Sequence, residues 1–161
     1  MTPTVFLCEP SGLAAAQRLM SDHWHERLFG LGYDVEQLRD ADYELDPWPG
    51  LKSRMRAAHG VVVLGFRQLY VSAGTWRLGA ELEKDMTGTW SSPWLQVEVG
   101  LAVAEGLPLL VVPESGVCEG VFAPETWRWS HALFGTSMAA PDCGVVDSWA
   151  RSVAERFALG V

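Results

Sequence analysis

The most unusual ionisable residue of the chain is Glu98, a carboxylate inside an apolar segment that follows Ser92-Pro93. Its neighbours are Val97 and Val99, and no cation is adjacent. A carboxylate in such a segment is costly unless it is paired, hydrogen-bonded or close to water. Partial burial would raise its pKa, a property common among catalytic acids and bases.

Trp94 precedes Glu98 by four residues, so in a helix both side chains lie on one face. The apolar residues of this segment also alternate as in a strand. A helix is favoured because Ser92 is a good N-cap, Pro93 suits the first helical turn and Gly106 is typical of a helix end. We therefore predict a helix over 94–106. Two interpretations stay open from spacing alone: Glu98 faces a ligand beside an aromatic ring, or it lies on the wet edge of the helix.

The surrounding segments predict an open α/β fold. Apolar runs predict buried strands over 4–8, 60–66 and 107–112, with further strands over 33–38 and 126–130. Helical spacing predicts helices over 13–31, over 51–58 and from an N-cap at Asp147 onward. The alternation of strand and helix is typical of a mainly parallel sheet with helices on both faces. Residues 40–50 are interpreted as a loop, and 67–91 as a long loop in which 77–85 could form a short helix; loops of that length are often functional.

Parallel sheets bind ligands at the carboxyl ends of their strands. The loops after Cys8 and Val112, and the end of the strand over 60–66, supply the candidate substrate-binding residues beside Ser92 and Trp94: Glu9, Pro10, Ser11, Phe66, Arg67 and Glu114. The turn at 9–12 leads into a helix N-terminus that would suit a phosphate, although a plain turn is an equally good interpretation. Arg67 would meet a phosphate or lie at the surface. Trp76 and Trp90 would stack on a base or pack the 67–91 loop against the rest of the domain.

Composition narrows the function classes. The formal net charge is −8 without any basic cluster, which disfavours a nucleic-acid polymer as partner. Three cysteines without CxxC spacing predict free thiols in a reducing compartment, and no metal site is expected. No apolar run approaches the ~18 residues of a membrane span. We therefore expect one cytoplasmic domain over 1–161 that has no membrane partner.

Two stretches resemble known families. Ser92-Pro93-Trp94-Leu95-Gln96-Val97-Glu98 resembles the S-x-W-x-x-x-E motif of TIR domains, whose enzymatic members use this glutamate to cleave NAD. Glu98-Val99-Gly100-Leu101-Ala102, followed by Gly106-Leu107-Pro108, is similar to nucleoside 2-deoxyribosyltransferases, where the matching glutamate is the nucleophile. The resemblance covers roughly residues 4–122 and implies a flavodoxin-like sheet of about five strands. It also implies that the chain can form a homo-oligomer.

The sequence departs from both families. The connection over 67–91 is longer than is usual in TIR domains, and Ser91, Ser92 and Pro93 stand where deoxyribosyltransferases carry an Asp. In both families the resemblance implies that Glu98 is the catalytic residue.

Both families cleave N-glycosidic bonds, through a transition state that resembles an oxocarbenium ion and is stabilised by a nearby anion. Nicotinamide leaves NAD as a neutral base and needs no acid, whereas an ordinary base must be protonated near pH 7. Glu9, Asp85 and Glu114 are the loop candidates for that second acid.

The hypothesis is an enzyme that cleaves NAD or a related nucleotide with one glutamate, NAD being a substrate rather than a cofactor. The alternatives are a nucleoside or nucleotide deoxyribosyltransferase or N-glycosidase, and a non-catalytic TIR-like module for interaction or nucleotide sensing.

Overall fold

The computed structural model describes residues 2–38, 46–123, 130–131 and 143–160. The strands within these ranges are β1 (Thr4–Cys8), β2 (Asp34–Glu36), β3 (Gly60–Gly65), β4 (Leu69–Trp76), β5 (Lys84–Trp90), β6 (Leu109–Pro113) and β7 (Ser130–His131). The helices are α1 (Ala15–Gly30), α2 (Pro47–Ala57), α3 (Pro93–Ala104) and α4 (Cys143–Ala158), with one turn of 3₁₀-helix at Gly120–Phe122.

The main sheet is parallel and has the strand order β2-β1-β3-β6-β7. With the β4–β5 pair set aside, this is the 2-1-3-4-5 order of a flavodoxin-like sheet, so the predicted fold class is confirmed. The chain first moves from β1 outward to β2 and then crosses back to β3. The order therefore switches between β1 and β3, which is where such sheets form their ligand crevice.

Two apolar layers cover the sheet. One face packs against α2 and α3, and the other packs against α1 and α4. Because successive strand residues point to opposite faces, Phe6 and Cys8 belong to the α2–α3 layer while Val5 and Leu7 belong to the α1–α4 layer. Strands β3 and β6 are buried along their whole length, as their continuous apolar sequences predict.

The predicted helix beside the candidate site is confirmed as α3. The Ser92 Oγ accepts a hydrogen bond from the backbone N–H of Trp94 at 3.2 Å, and Pro93 occupies the first helical position. A helix start leaves backbone N–H groups without partners. Ser92 satisfies one of these groups, and Pro93 has no N–H group that needs a partner. The helix buries a face with the spacing expected of an amphipathic helix: Leu95, Glu98, Val99 and Ala102.

The prediction of a long loop over 67–91 with a short helix over 77–85 is wrong in its structure. Strands β4 and β5 form an antiparallel hairpin in which Leu69 pairs with Trp90 and Trp76 pairs with Lys84. The strand sequences are rich in aromatic and β-branched residues, which favour extended backbone. The turn between them includes Arg77 and Gly79 at positive φ, a conformation that ends regular structure.

Three further element boundaries differ from prediction. Helix α4 begins at Cys143, so Asp147 lies inside the helix and is not its N-cap. Helix α2 begins at Pro47, where the Asp46 side chain caps it, so the end of the predicted 40–50 loop is helical; residues 39–45 lie outside the described ranges. The predicted strand over 126–130 is represented by Ser130–His131, its other residues being outside the described part.

In the described chain, no helix has the length and apolarity that a membrane crossing requires.

Candidate functional site

The Glu98 side chain lies under the sheet edge rather than at the surface. Only 2% of Glu98 is exposed, so the wet-edge interpretation is wrong. Helix α3 starts at the carboxyl edge of β3 and directs Glu98 toward Cys8, the last residue of β1. Glu98 is thereby brought to the strand pair at which the sheet order switches.

Burial dominates the electrostatics of this carboxyl group. It raises the pKa of Glu98 to about 8, while hydrogen-bonding interactions with the side chains of Cys8 and Trp94 oppose the rise. Burial, together with the Glu98 charge, raises the pKa of the Cys8 thiol well above its usual value. Cys8 therefore keeps its proton near neutral pH and is a donor toward Glu98.

One oxygen of Glu98 lacks a hydrogen bond of normal geometry in the described structure. This oxygen is Oε2, which is buried. Buried polar atoms are nearly always paired in folded proteins, so each exception requires an explanation. The Oγ atom of Ser91, just before α3, is a second buried atom of this kind. Both lie at the same edge of the sheet.

One tryptophan ring, that of Trp94, contacts Glu98, and a second packs against the first. Trp94 is half-buried and lies one turn before Glu98 on α3. The ring centroid of Trp48 lies 5.2 Å from the ring centroid of Trp94, and the angle between the two ring planes is 41°. Trp48 is 43% exposed. The sequence reasoning missed Trp48 because residues 40–50 were interpreted as loop. Asp46 followed by Pro47 was the available signal, since an N-cap and a proline at N1 predict that α2 starts there.

Glu9 follows β1 directly, and its two carboxyl oxygens differ in their hydrogen bonding to the described residues. Its Oε1 accepts a hydrogen bond from Gln37 Nε2 at 3.1 Å, whereas its Oε2 is buried without a partner in the described structure. Pro10 is buried and Ser11 is exposed. At the start of α1, the backbone N–H of Ala14 already donates to the Gln17 side chain at 3.0 Å, so the phosphate site suggested for this turn stays a prediction.

Arg67 and Glu114 contact each other across the ends of β3 and β6. Glu114 Oε1 lies 2.7 Å from both Nε and Nη2 of Arg67, and its Oε2 accepts from the Arg67 backbone N–H and from Gln17 Nε2, each at 2.9 Å. Burial works to raise the pKa of Glu114, but these hydrogen bonds and the Arg67 charge outweigh it and lower the pKa. The pair therefore fits a clamp between loops better than a phosphate ligand and a proton donor.

The other predicted residues lie farther from Glu98 or serve the fold. Phe66 is 1% exposed and belongs to the α1–α4 layer, on the face of the sheet opposite Glu98, which does not favour contact with a ligand there. Asp85 is exposed on the hairpin. Trp76 and Trp90 contact each other there, with ring centroids 5.9 Å apart. The described residues hold no group of three or more side chains that could bind a metal ion.

Comparisons with known proteins give fold-level likenesses only. No family model matches the sequence, and no curated protein matches it. Similar solved structures include a CMP N-glycosidase from Clostridium botulinum, at 12% identity over 81% of this chain and 88% of that chain, with a TM-score of 0.49. A conserved protein from Enterococcus faecalis is 12% identical over 78% of this chain and 72% of that chain, with a TM-score of 0.48. Likenesses at this level bear on neither family nor activity, so membership of the families resembled in sequence stays a prediction.

Proposed function

We propose that this chain cleaves the N-glycosidic bond of a nucleotide, with Glu98 as the catalytic carboxylate. NAD is the substrate that we propose for it. The supporting observation is a carboxyl group that is 2% exposed at the carboxyl edge of a parallel sheet, and whose Oε2 accepts no hydrogen bond of normal geometry from the described residues. An isolated buried charge is strongly unfavourable, so such a group is suited to a partner that carries or develops positive charge.

Cleavage of the N-glycosidic bond of NAD provides a partner of this kind, because positive charge develops on the sugar. As the bond from C1′ of the ribose to the pyridinium nitrogen breaks, its electron pair goes to the nitrogen and positive charge develops on the sugar. Ionised Glu98 either stabilises this charge while water adds to C1′, or forms an ester bond to C1′ that water then hydrolyses, which frees the carboxylate again. The products are nicotinamide, ADP-ribose and one proton. The cationic ring of NAD also favours ionisation of Glu98, because a nearby opposite charge lowers the pKa of a carboxyl group.

The tryptophan pair would hold the leaving base. Trp94 is tied to Glu98 by its position one turn earlier, and Trp48 extends the aromatic surface toward solvent. Planar bases stack on such rings, and a cationic pyridinium gains further attraction from the ring face. A base stacked there would be joined to a sugar whose C1′ lies toward Glu98.

A second candidate has support from the protonation state of Glu98. With a pKa of about 8, Glu98 carries a proton near pH 7 in the absence of ligand. A protonated carboxyl group can act as the general acid that an ordinary base requires in order to leave. The second candidate is therefore an N-glycosidase or deoxyribosyltransferase that acts on a nucleoside monophosphate.

The test is base release by the purified protein. NAD is incubated with wild-type protein, and each of the ribonucleoside and deoxyribonucleoside 5′-monophosphates is incubated with and without a different free base. Glu98→Gln is the variant, and Glu105→Gln is the matched control because Glu105 follows the same helix and pairs with the exposed Arg56.

Chromatography of the free bases distinguishes the candidates. Nicotinamide release that falls by roughly 100-fold or more in Glu98→Gln but not in Glu105→Gln supports the first candidate. Release or exchange of the base of a monophosphate supports the second. If Glu98→Gln retains wild-type activity, or if the wild type releases no base from any substrate, the proposed function is wrong. Binding without release would favour a nucleotide-sensing module.

A further inference from the structure

Among the described residues, the carboxyl group of Glu9 is hydrogen-bonded through one of its two oxygens. Glu9 follows Cys8, whose thiol contacts Glu98, so the two carboxyl groups flank the end of β1. Gln37 Nε2 donates to Glu9 Oε1 at 3.1 Å, while Glu9 Oε2 is buried and has no hydrogen-bond partner among the described residues.

The orientation of Gln37 is fixed from the opposite side. His25 Nε2 lies 3.2 Å from Gln37 Oε1, and His25 Nδ1 lies 3.0 Å from the backbone oxygen of Ser21. The Ser21 carbonyl oxygen only accepts, so His25 Nδ1 is the donor in that contact. Because Glu9 Oε1 accepts from Gln37 Nε2, the Gln37 amide group turns its NH₂ group to Glu9 and its oxygen to His25.

The backbone of Gln37 is also held. Its carbonyl oxygen accepts a hydrogen bond from Arg54 Nη1 at 2.6 Å, which ties the segment after β2 to α2. Side chains from α1 and α2 therefore converge on Gln37, and Gln37 positions Glu9. As a result, Oε1 of the Glu9 carboxylate already accepts a hydrogen bond from Gln37, and Oε2 can accept a hydrogen bond from a further donor.

We propose that Glu9 recognises the sugar of the substrate, its Oε2 accepting a hydrogen bond from a ribose hydroxyl, with Gln37 and His25 as positioning residues. This inference rests on the proposed function, which requires C1′ of the ribose beside Glu98. The hydroxyls of the same ring then lie near the end of β1. A carboxylate that accepts from ribose hydroxyls is a general solution for nucleotide recognition.

Direct binding tests this role without turnover. The probes are ribose 5-phosphate and inorganic phosphate, titrated by calorimetry against wild type and against Glu9→Met, Glu9→Gln and Gln37→Leu. Methionine matches glutamate in length but offers no strong acceptor. In Glu9→Gln, the Gln37 NH₂ group takes the amide oxygen, which leaves an uncharged NH₂ group at the position of Oε2. The matched control is Glu36→Gln, which removes the same charge from an exposed position on β2.

The expected result is selective for the sugar. A hydrogen bond to a charged group is worth about 1.5–3 kcal/mol, so Glu9→Met weakens ribose 5-phosphate binding by roughly 10-fold or more. Glu9→Gln and Gln37→Leu weaken it by less, and the affinity for inorganic phosphate stays unchanged in every variant. A purely structural role of Gln37 would lower the melting temperature without changing the ratio of the two affinities.

The outcomes separate this inference from the proposed function. If no nucleotide is cleaved while ribose 5-phosphate binding depends on Glu9, the sugar-recognition role stands and the catalytic proposal fails. If nucleotides are cleaved but Glu9→Met and Glu9→Gln bind ribose 5-phosphate as the wild type does, the role of Glu9 is overturned. Absence of ribose 5-phosphate binding by the wild type overturns it as well.

Discussion

Replacing Glu98 by glutamine should make the protein more stable, by an amount that grows with pH. The folded state holds the carboxyl group in a buried site that raises its pKa from 4.5 to about 8. An acid whose pKa is higher in the folded state favours folding only while it is protonated. Its contribution is complete below the unfolded pKa and is lost as the pH rises toward and through the folded pKa. Glutamine has the same shape and does not titrate.

The magnitude follows from linkage between proton binding and folding. A difference of about 3.5 pH units between the two pKa values, at about 1.36 kcal/mol per unit, corresponds to about 5 kcal/mol over the whole range. About 3.5 kcal/mol of this falls between pH 5 and pH 8. The other titrating groups are common to both proteins. Cys8 is coupled to Glu98, but burial is the largest cause of its raised pKa, so it keeps its proton over this pH range and the effects of these groups cancel in the difference between variant and wild type.

Urea unfolding monitored by tryptophan fluorescence measures the effect. Both proteins are unfolded at pH 5, 6, 7 and 8, and the difference in the free energy of unfolding is plotted against pH. We expect Glu98→Gln to gain stability over wild type by about 1 kcal/mol per pH unit across this range. Glu105→Gln is the control and should follow the wild type. Parallel stability curves for Glu98→Gln and wild type would refute the reasoning, because they would mean that Glu98 titrates alike in the folded and unfolded states.

Three further predictions concern the surroundings of the site. Trp48→Ala should raise KM for the cleaved nucleotide by roughly 5-fold or more with a smaller effect on kcat, because one stacked ring contributes about 1 kcal/mol or more. Cys8→Ala removes a donor that lowers the pKa of Glu98, so the pH at which Glu98 ionises should rise, as measured by the pH profile of activity or by NMR titration. Gly65→Ala should destabilise the fold by about 1–3 kcal/mol in urea unfolding, because a Cβ there would overlap the buried Phe122 ring.

Each of these predictions has a matched control. Trp76→Ala removes a ring of the hairpin and should leave KM unchanged; an equal rise in KM would contradict the role given to Trp48. Cys118→Ala removes an exposed thiol and should not shift the pH profile. Gly100→Ala adds a Cβ that meets nothing within 4 Å inside α3, so it should not destabilise the protein. Equal losses in Gly65→Ala and Gly100→Ala would contradict the packing argument.

Local sequence was sufficient for the elements whose residues all favour one structure. The strands β1, β3 and β6 follow from continuous apolar runs, and α3 follows from Ser92 and Pro93 at its start. The hairpin was missed because its strands are largely exposed on both faces and lack the apolar alternation that marks a half-buried strand. Its aromatic and β-branched content was the remaining signal.

The candidate site was predictable in part. Glu98 and Trp94 share a helix, so their spacing was enough to pair them. Cys8, Trp48 and Gln37 reach the site through tertiary contacts between segments that are far apart in sequence, and no local pattern reports such contacts. For the same reason, sequence alone gave no means of finding that Arg67 is already paired with Glu114.

Base release from NAD tests the central claim most directly. Wild type, Glu98→Gln and Glu105→Gln are incubated at equal concentration, and free nicotinamide is measured over time. The proposed chemistry predicts release by wild type and Glu105→Gln and a loss of roughly 100-fold or more in Glu98→Gln, whose fold should be at least as stable as that of the wild type. Nicotinamide release by Glu98→Gln at the wild-type rate would contradict it.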